Sequence, residues 1–408
     1  MNTTPSLFSR KSEKPAILGG EPLGRTPLPF VRPQLPPLED LEGPYREILS
    51  NGMVTTGLYA ERLGEALRAH LGVRHAVAVS SCTTGLMLAV QALNLPRGSV
   101  AVLPSFTFMA TALGAVWNGL RLHFVDVNRE TMNIDPARVE EALTADTSVI
   151  IGVHQFGAPA PVEDLRRVAD TKGISLLFDA AHGFGSLCQG QPLGGHGRAE
   201  VFSLSPTKLL IAAEGGVVAT GEEDIATHVR LGRNYGNPGN YDCRFPGLNA
   251  RMSELHAILA LKSLERLEEA AANRNRSAHL YRELLRNVPG VSFQKVLEND
   301  RSSFKDFSIV VDEHAFGLTR DQLARALAAE GIHTRVYYAP VLHKMEAFRP
   351  YAGENPAAEL PHTLYLESHA LSLPMYSDMK EEEIERVAAS LVRIQRHALP
   401  IASLNLSA

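Results

Sequence analysis

The sequence has few of the residues that would take it out of the ordinary globular proteins. Its three cysteines, Cys82, Cys188 and Cys243, are far apart and form no CxxC spacing, which argues against a disulfide framework and a thiolate zinc site. Fifteen histidines are spread without H-E-x-x-H spacing, so no metal site is predicted. The scarcity of cysteine indicates a reducing compartment, and we expect the cytoplasm.

Charge and hydrophobic patterning argue against two further classes. The net charge is −5, from 40 basic and 45 acidic residues, with no long basic run, so neither a nucleic-acid partner nor an anionic membrane is predicted. The apolar runs have the length of strands, and the basic N-terminal stretch lacks the apolar segment of a signal peptide, so we expect no membrane span. With 408 residues, the chain has room for two domains, each with its own core.

Short apolar runs alternate with amphipathic segments from residue 75 onward. Helices are predicted at 84–95, 107–118, 136–143 and 162–172. Seven strands are predicted, at 76–79, 100–103, 122–127, 148–153, 174–179, 201–203 and 217–220. This alternation is typical of an α/β fold with a mainly parallel sheet that is covered on both faces. Ligands of such sheets bind beyond the carboxyl ends of the strands.

The chain is predicted to divide into four segments. Residues 1–28 are polar and rich in glycine and proline, which indicates a flexible N-terminal arm, and 29–250 form the large α/β domain. Residues 251–397 form a linking helix and a smaller α+β domain, and 398–408 form a tail. The linking helix is predicted from apolar residues at every third position, and the small domain has strands at 306–311 and 334–338 and helices at 320–331 and 380–396.

Two residues at the ends of apolar strands carry the predicted chemistry. Lys208 follows the strand that begins at Val201, and Asp179 ends the run Leu176-Leu177-Phe178. Burial in a pocket lowers the pKa of a lysine and makes it nucleophilic toward carbonyls. Pyridoxal phosphate needs a lysine that forms a Schiff base and a buried aspartate that keeps its pyridine nitrogen protonated. Taken singly, Lys208 would be interpreted as a surface lysine, and Asp179 could equally be a helix cap.

Two strand-to-helix turns add to this pattern. Residues 80–85, Ser-Ser-Cys-Thr-Thr-Gly, offer hydroxyls and free N–H groups that suit a phosphate, although they also suit an ordinary N-cap. Residues 104–108 open the next helix, where an aromatic side chain could stack on a planar ring or pack in the core. No G-x-G-x-x-G follows a strand, and no P-loop is present. Because all these residues lie at one predicted sheet edge, pyridoxal phosphate is the expected cofactor.

From residue 24 to 393 the chain resembles the DegT/DnrJ/EryC1/StrS family of pyridoxal-phosphate-dependent nucleotide-sugar aminotransferases. The resemblance implies the aspartate-aminotransferase fold, type I, and a homodimer with shared active sites at the subunit interface. The segments that carry it are 55–57, 80–84, 104–108, 179–182, 205–208 with 214–216, 233–236, 247–254 and 371–374.

The resemblance also implies a role for each of eight residues. Lys208 bonds covalently to the cofactor and shuttles a proton, Asp179 holds the pyridinium proton, and His182 lies beside the ring near the reacting centre. Phe108 stacks on the ring. The residues implied in phosphate binding are Thr83, Thr84, Ser203 and Asn234 of the partner subunit. Cys82 departs from the pattern, because the family usually has glycine there, so a locally different turn is expected.

Lysine at position 208 also discriminates between reactions. Family members that dehydrate sugars carry histidine there, so lysine implies transamination from L-glutamate to a nucleotide-linked keto-deoxysugar, with ping-pong kinetics. Loops 236–241 and 245–249 resemble members that aminate dTDP-4-keto-6-deoxyglucose at C4 for antibiotic glycosides. A 3-keto sugar or an aminocyclitol ketone is the alternative acceptor. A non-catalytic binding or regulatory module is the alternative class, and the retention of Lys208, Asp179 and the phosphate-binding residues argues against it.

Overall fold

A seven-stranded sheet dominates the fold in the computed structural model, which describes residues 13–354 and 356–404. Each of the seven strands predicted between residues 76 and 220 corresponds to a strand of this sheet, so the predicted α/β class is confirmed. The strands are β1 His75–Val79, β2 Val100–Pro104, β3 Arg121–Val125, β4 Thr147–Val153, β5 Ser175–Asp179, β6 Leu187–Cys188, β7 Gln191–Pro192, β8 Ala199–Ser203, β9 Gly216–Thr220, β10 Val291–Phe293, β11 Phe307–Val311 and β12 Ala370–Leu373.

The helices follow the strands in the alternation that the sequence predicts. The α-helices are α1 Leu38–Asn51, α2 Leu58–Leu71, α3 Cys82–Ala92, α4 Met109–Val116, α5 Pro136–Ala142, α6 Val162–Lys172, α7 Glu223–Gly232, α8 Glu254–Leu264, α9 Leu267–Leu285, α10 Glu313–Phe316, α11 Arg320–Ala329, α12 Pro356–Glu359, α13 Pro361–His369, α14 Glu381–Arg396 and α15 Ala398–Ala402. Short 3₁₀-helices lie at Ala16–Leu18, Gln155–Gly157, Leu342–Lys344 and Arg349–Tyr351.

The large sheet has the order β1-β9-β8-β5-β4-β2-β3. Strands β8, β5, β4, β2 and β3 pair in parallel, whereas β9 runs antiparallel to both of its neighbours. Successive side chains of a strand point to opposite faces, and here both faces are buried. Leu177 packs in the core on one face and Phe178 in the core on the other. Helices therefore cover the sheet on both sides.

The carboxyl edge of this sheet gathers the residues that matter for function. The strands β1, β2, β5 and β8 end at this edge, and residues of the turns after them stand beyond it: Thr83 after β1, Phe108 after β2, His182 after β5 and Lys208 after β8. Asp179 and Ser203 are themselves the last residues of β5 and β8. The parallel arrangement is what brings together residues that are more than a hundred positions apart in the sequence.

A three-stranded antiparallel sheet, β10-β11-β12, forms the centre of a second core. Tyr281 of α9, Ile309 of β11 and Leu391 of α14 pack together in this core. Two predictions in this region are wrong. Residues 334–338 form no strand and make a single bridge, from Arg335 to Ser372. The predicted linking helix is two helices, because the backbone leaves helical geometry at Arg266.

Both differences have a physical reason. Side chains of a strand alternate between faces, whereas Tyr337 and Tyr338 line the same cavity, which an extended strand does not allow. Residues three apart on a helix drift by about 60° per step, so a long run at this spacing winds around the helix. The break between α8 and α9 turns Leu267 back into the core, where it is fully buried.

The N-terminal segment from residue 13 to 28 packs against this second core. The carboxylate of the buried Glu330 accepts hydrogen bonds from the backbone N–H groups of Ala16 and Leu23, at 3.0 and 3.2 Å, and it pairs with the buried Arg393. Leu28 forms a parallel bridge with Ile332. The first part of the predicted arm, residues 1–12, lies outside the described residues. The division of the chain at residues 28, 250 and 397 stays a prediction.

Across residues 13–354 and 356–404, no helix is both long enough and apolar enough to cross a membrane.

Candidate active site

A cavity of about 290 Å³ lies beyond the carboxyl edge of the large sheet. It is lined on the sheet side by the ends of β5 and β8 and the start of α3, and on the other side by residues 305–306 and 337–338. Six of the eight predicted site residues line it, namely Thr83, Phe108, Asp179, His182, Ser203 and Lys208.

Lys208 is partly buried at this cavity, so its side chain does not extend into open solvent as a surface lysine would. Burial, together with the positive charge of Lys305, lowers the pKa of Lys208 to about 7, while Asp306 and Asp179 act in the opposite direction. Desolvation disfavours the charged form of an amine. A large fraction of Lys208 is therefore an uncharged nucleophile near neutral pH.

Asp179 forms the buried floor of the cavity, with 4% of its surface exposed. One carboxylate oxygen, Oδ2, accepts a hydrogen bond from Thr111 Oγ1 at 2.7 Å. The other, Oδ1, accepts from Ala181 N at 3.0 Å. Burial raises the pKa of Asp179, and these hydrogen bonds and the charge of Lys208 offset part of that rise. A cationic partner in the cavity would compensate this buried carboxylate further.

At the start of α3, Ser81 and Thr84 cap the helix, whereas Thr83 lines the cavity. Ser81 is the N-cap, and its Oγ accepts a hydrogen bond from Thr84 N at 3.2 Å, while Thr84 Oγ1 accepts from Ser81 N at 3.2 Å. This is a capping box. Thr83 instead faces the cavity, where free N–H groups at a helix N-terminus favour an anion. The N-cap alternative is therefore confirmed for Ser81 and Thr84, whereas the phosphate-binding role of Thr83 stays a prediction.

The backbone at the start of α3 leaves no room for a side chain at Gly216 of β9. A Cβ built there would lie 2.5 Å from backbone atoms of Ser81 and Cys82. Cys82 itself is the first residue of an ordinary helix and is buried, with Sγ 3.5 Å from Val201 O. A close approach that demands glycine lies at Gly216, on the strand next to β1. The expected difference of this turn from the family's turn stays a prediction.

The three remaining lining residues differ in exposure. Phe108 is the N-cap of α4, and 52% of its surface is exposed although it is a large aromatic residue. Ser203 is buried at the end of β8. Burial and the charges of Lys208 and Lys305 lower the pKa of His182 well below its usual value, so this imidazole is neutral at pH 7.

Two predicted residues do not line the cavity of their own chain. The hydroxyl of Thr84 is occupied by the capping box. Asn234 lies in the turn after α7, where its Oδ1 accepts a hydrogen bond from Arg251 Nη1 and its Nδ2 donates to Asn237 O at 3.4 Å. Their implied roles in phosphate binding stay predictions.

The sequence analysis missed the wall of the cavity that faces the sheet. Lys305 and Asp306 form a buried ion pair there, and Tyr337 and Tyr338 lie beside it. A signal was present in the sequence, since a charged Lys-Asp pair interrupts the apolar run from Phe304 to Val311. Charged residues are rarely buried unless they are paired. Nothing in the local pattern, however, places this pair opposite Lys208.

The lining residues fit pyridoxal phosphate. The cavity offers a nucleophilic lysine, a buried carboxylate at its floor that forms no ion pair within the described residues, an exposed aromatic ring and a helix N-terminus that a Cβ at Gly216 would obstruct. These are the groups that a planar cationic ring with an aldehyde and a phosphate requires.

The chain is similar to known aminotransferases over most of its length. A profile of the DegT/DnrJ/EryC1/StrS aminotransferase family matches residues 39–392. DesI, solved in the presence of its TDP-sugar product, is 36% identical with a TM-score of 0.88, and the match covers 95% of this chain and 98% of that chain. DesV from S. venezuelae is 26% identical with a TM-score of 0.84, covering 92% of this chain and 99% of that one.

An aminotransferase of this family from Brucella abortus is 27% identical with a TM-score of 0.81, and the match covers 87% of this chain and 95% of that one. The shared architecture is fold type I of the pyridoxal-phosphate-dependent aminotransferases. The chain therefore belongs to the DegT/DnrJ/EryC1/StrS aminotransferase family and is a pyridoxal-phosphate-dependent aminotransferase.

Proposed function

We propose that this enzyme transfers the amino group of L-glutamate to C4 of dTDP-4-keto-6-deoxyglucose, forming 2-oxoglutarate and a 4-amino-6-deoxysugar nucleotide for deoxyaminosugar biosynthesis. The observation that carries the proposal is a lysine with a pKa of about 7 in the same cavity as a buried aspartate. The likeness to DesI, which was solved with its TDP-sugar product, supports the nucleotide sugar as acceptor.

The chain's own residues have distinct tasks in this proposal. The bound cofactor supplies an electron sink for the carbon that gains or loses the amine. Lys208 would hold the cofactor through Nζ, and the same amine, with its lowered pKa, would accept and return a proton at that carbon. Asp179 keeps the proton on the pyridine nitrogen, and Thr111 and Ala181 N hold the carboxylate in place. His182, neutral at pH 7, lies beside the reacting centre without adding charge.

In this proposal, residues at the strand-to-helix turns bind the cofactor. Phe108 would stack on the ring, since its exposed aromatic side chain lies at the cavity. Thr83 and Ser203 receive the phosphate at the start of α3 and the end of β8. We propose that Thr84 and Asn234 of the partner subunit complete this phosphate site.

A homodimer follows from this assignment. Asn234 does not line the cavity of its own chain, and the apolar residues that follow Phe108 and Asn234 in the chain are exposed, Met109 at 40% and Tyr235 at 49%. Such exposed apolar surface is typical of protein interfaces. Light scattering after gel filtration should give about twice the 44.4 kDa of one chain. A monomer that is fully active would contradict the shared site.

Incubation with L-glutamate and dTDP-4-keto-6-deoxyglucose tests the reaction. We expect mass spectrometry to detect an amino sugar nucleotide, and NMR to place the nitrogen at C4. Nitrogen at C3, or product only from a 3-keto sugar or an aminocyclitol ketone, would replace the proposed acceptor. Lys208→Ala should abolish turnover, whereas Lys262→Ala, at a surface ion pair with Glu265, should retain it.

A non-catalytic binding module would give a different result. The purified protein should take up pyridoxal phosphate with visible absorbance, and borohydride should fix the cofactor to the peptide that contains Lys208. Protein that stays colourless with excess cofactor would support the binding module.

We propose the cytoplasm as the compartment, since the three cysteines are free and two of them are buried. Cell fractionation tests this, and recovery from an oxidising compartment would contradict it.

A further inference from the structure

We propose that Lys305 binds the α-carboxylate of the amino donor, with Asp306 as the counter-charge that holds Lys305 in position. This inference rests on the proposed function, because it assumes an α-amino acid donor. It assigns the donor a binding group on the cavity wall opposite the sheet.

The first observation is a buried ion pair that faces the reacting lysine. Lys305 Nζ lies 2.9 and 3.0 Å from the two carboxylate oxygens of Asp306. The side chains are 5% and 3% exposed, and both residues line the cavity that contains Lys208. Burying two charges is costly and often gives no net stability. A buried pair beside a catalytic lysine therefore suggests a functional reason for the pair.

The second observation is that the backbone carrying this pair is firmly anchored. The buried Arg274 donates hydrogen bonds from Nη1 to Phe304 O at 3.1 Å and to Lys305 O at 2.9 Å. On the other side, Ser303 Oγ donates to His182 O at 2.7 Å. Phe304 adopts a φ of +43°, which is uncommon for a residue other than glycine. These contacts fix Lys305 relative to both α9 and the turn after β5.

The third observation concerns the charges that line the cavity. Among its lining residues in the described chain, the lysines and arginines are Lys208 and Lys305 alone. Lys208 is engaged with the cofactor and the moving proton, and His182 is neutral at pH 7. The α-carboxylate is one bond from the carbon that reacts, so its binding group must lie in this cavity. Lys305 is the remaining cation that this chain itself places in the cavity.

The hydrogen-bonding capacity of Lys305 also leaves room for a ligand. An ammonium group has three N–H donors. Nζ contacts both oxygens of Asp306 and lies 5.5 Å from the centroid of the Tyr337 ring, and across residues 13–354 and 356–404 no other carboxylate forms an ion pair with it. A hydrogen bond between Lys305 Nζ and the carboxylate of a ligand would be charge-assisted, which makes it stronger than a neutral one.

The two half-reactions should therefore depend differently on Lys305. The donor carries a carboxylate beside its reacting carbon, whereas the keto carbon of a sugar ring carries none. Removing the cation should weaken binding of the donor and leave binding of the keto sugar largely unchanged. Because the charge of Lys305 also lowers the pKa of Lys208, the rates of both half-reactions can change together, so the half-saturating concentrations and the glutarate Kd distinguish carboxylate binding from this shared effect.

Lys305→Met in the cofactor-loaded enzyme tests this, with Lys295→Met as the matched control. Lys295 lies ten residues before Lys305 in the chain, and its side chain forms an exposed ion pair with Glu130. Stopped-flow absorbance measures the donor half-reaction against L-glutamate concentration. Calorimetry measures binding of glutarate, which has the carboxylates but no amine to react. The pyridoxamine form mixed with the keto sugar measures the acceptor half-reaction.

In Lys305→Met, we expect the half-saturating glutamate concentration and the Kd of glutarate to rise by about 10–100-fold, the factor for a lost hydrogen bond to a charged group. The half-saturating concentration of the keto sugar in the acceptor half-reaction should change by less than about threefold, a difference of under 1 kcal/mol, and Lys295→Met should match wild type throughout. If Lys305→Met does not fold because Asp306 is left unpaired, Lys305→Met/Asp306→Leu removes both charges and should show the same selective loss.

Equal rises in the half-saturating concentrations of glutamate and the keto sugar, or unchanged glutamate and glutarate binding, would overturn the inference. A wild-type enzyme that does not react with glutamate would overturn the donor and this inference together. A wild-type enzyme that reacts with glutamate but aminates no keto sugar would overturn the proposed acceptor alone, because the glutamate and glutarate measurements do not use the sugar.

Discussion

The protonation of Lys208 in the cofactor-free protein can be measured directly. Burial and the nearby charge of Lys305 lower its pKa to about 7 from the ordinary value of 10.5. A base with a lowered pKa loses its proton at lower pH, so the nucleophilic form is present at neutral pH. We expect the reactivity of Lys208 toward an acylating reagent to rise up to about pH 8 and then to level off.

The magnitude follows from the two pKa values. At pH 8, about 90% of an amine with a pKa of 7 is uncharged, against about 0.3% of an amine with a pKa of 10.5. The reactivity of the ordinary amine should continue to rise about tenfold per pH unit through pH 9. The shape of the reactivity profile therefore distinguishes a lysine with a pKa of about 7 from one with the ordinary pKa of 10.5. The absolute rate does not, because an amine of lower pKa is also the weaker nucleophile.

Competitive labelling with trace acetic anhydride, read by peptide mass spectrometry between pH 5.5 and 10, gives this profile. An Nα-acetyl-lysine amide in the same tube serves as the reference. Two variants should move the midpoint in opposite directions. Lys305→Met removes a positive charge and should raise the midpoint, and Asp306→Asn removes a negative charge and should lower it. A Lys208 profile that rises tenfold per unit through pH 9 would refute the reasoning.

Three further predictions concern the cofactor site and the fold. Asp179→Asn replaces a carboxylate with an amide that cannot hold the pyridine proton, so kcat should fall by about 10²–10⁴-fold with an unchanged circular dichroism spectrum; near-normal turnover would contradict this. Gly216→Ala places a Cβ 2.5 Å from the backbone at the start of α3, so a cofactor titration should show a higher Kd than for Gly221→Ala, whose Cβ meets open space; equal affinities would contradict it. Glu330→Ala leaves the buried Arg393 without its carboxylate, so the unfolding free energy from urea titration should fall by about 3–5 kcal/mol, and a fall below 1 kcal/mol would count against it.

The large sheet was predictable because its signal is local. Each strand of a sheet that is buried on both faces is a short apolar run, and such runs stand out between amphipathic segments. Helix α2 and strands β10 and β12 were not predicted, for two different reasons. Helix α2 buries Tyr59, Leu63, Leu67 and Leu71, which recur every fourth position and would have predicted it. Strands β10 and β12 have three and four residues, too few for a period to be read.

Lys208 and Asp179 were predictable as candidates because Asp179 ends an apolar strand and Lys208 closely follows another, and parallel strands bring their carboxyl ends to one edge. The sequence did not predict that Thr84 takes part in the helix cap while Thr83 lines the cavity. The two residues are identical and adjacent, and they differ only in which side of the helix start they face. The placement of Tyr337 and Tyr338 on one wall also depended on packing that no local period describes.

The sequence by itself determined the α/β class, the strands of the large sheet and the lysine and aspartate at its edge, since these follow from short-range periodicity and from residue chemistry. The tertiary structure alone decided what faces them. It placed Lys305 and Asp306 opposite the sheet, it brought Gly216 against the start of α3, and it gave Lys208 its low pKa. These properties depend on desolvation and on charges distant in the chain, and both arise only when the chain has folded.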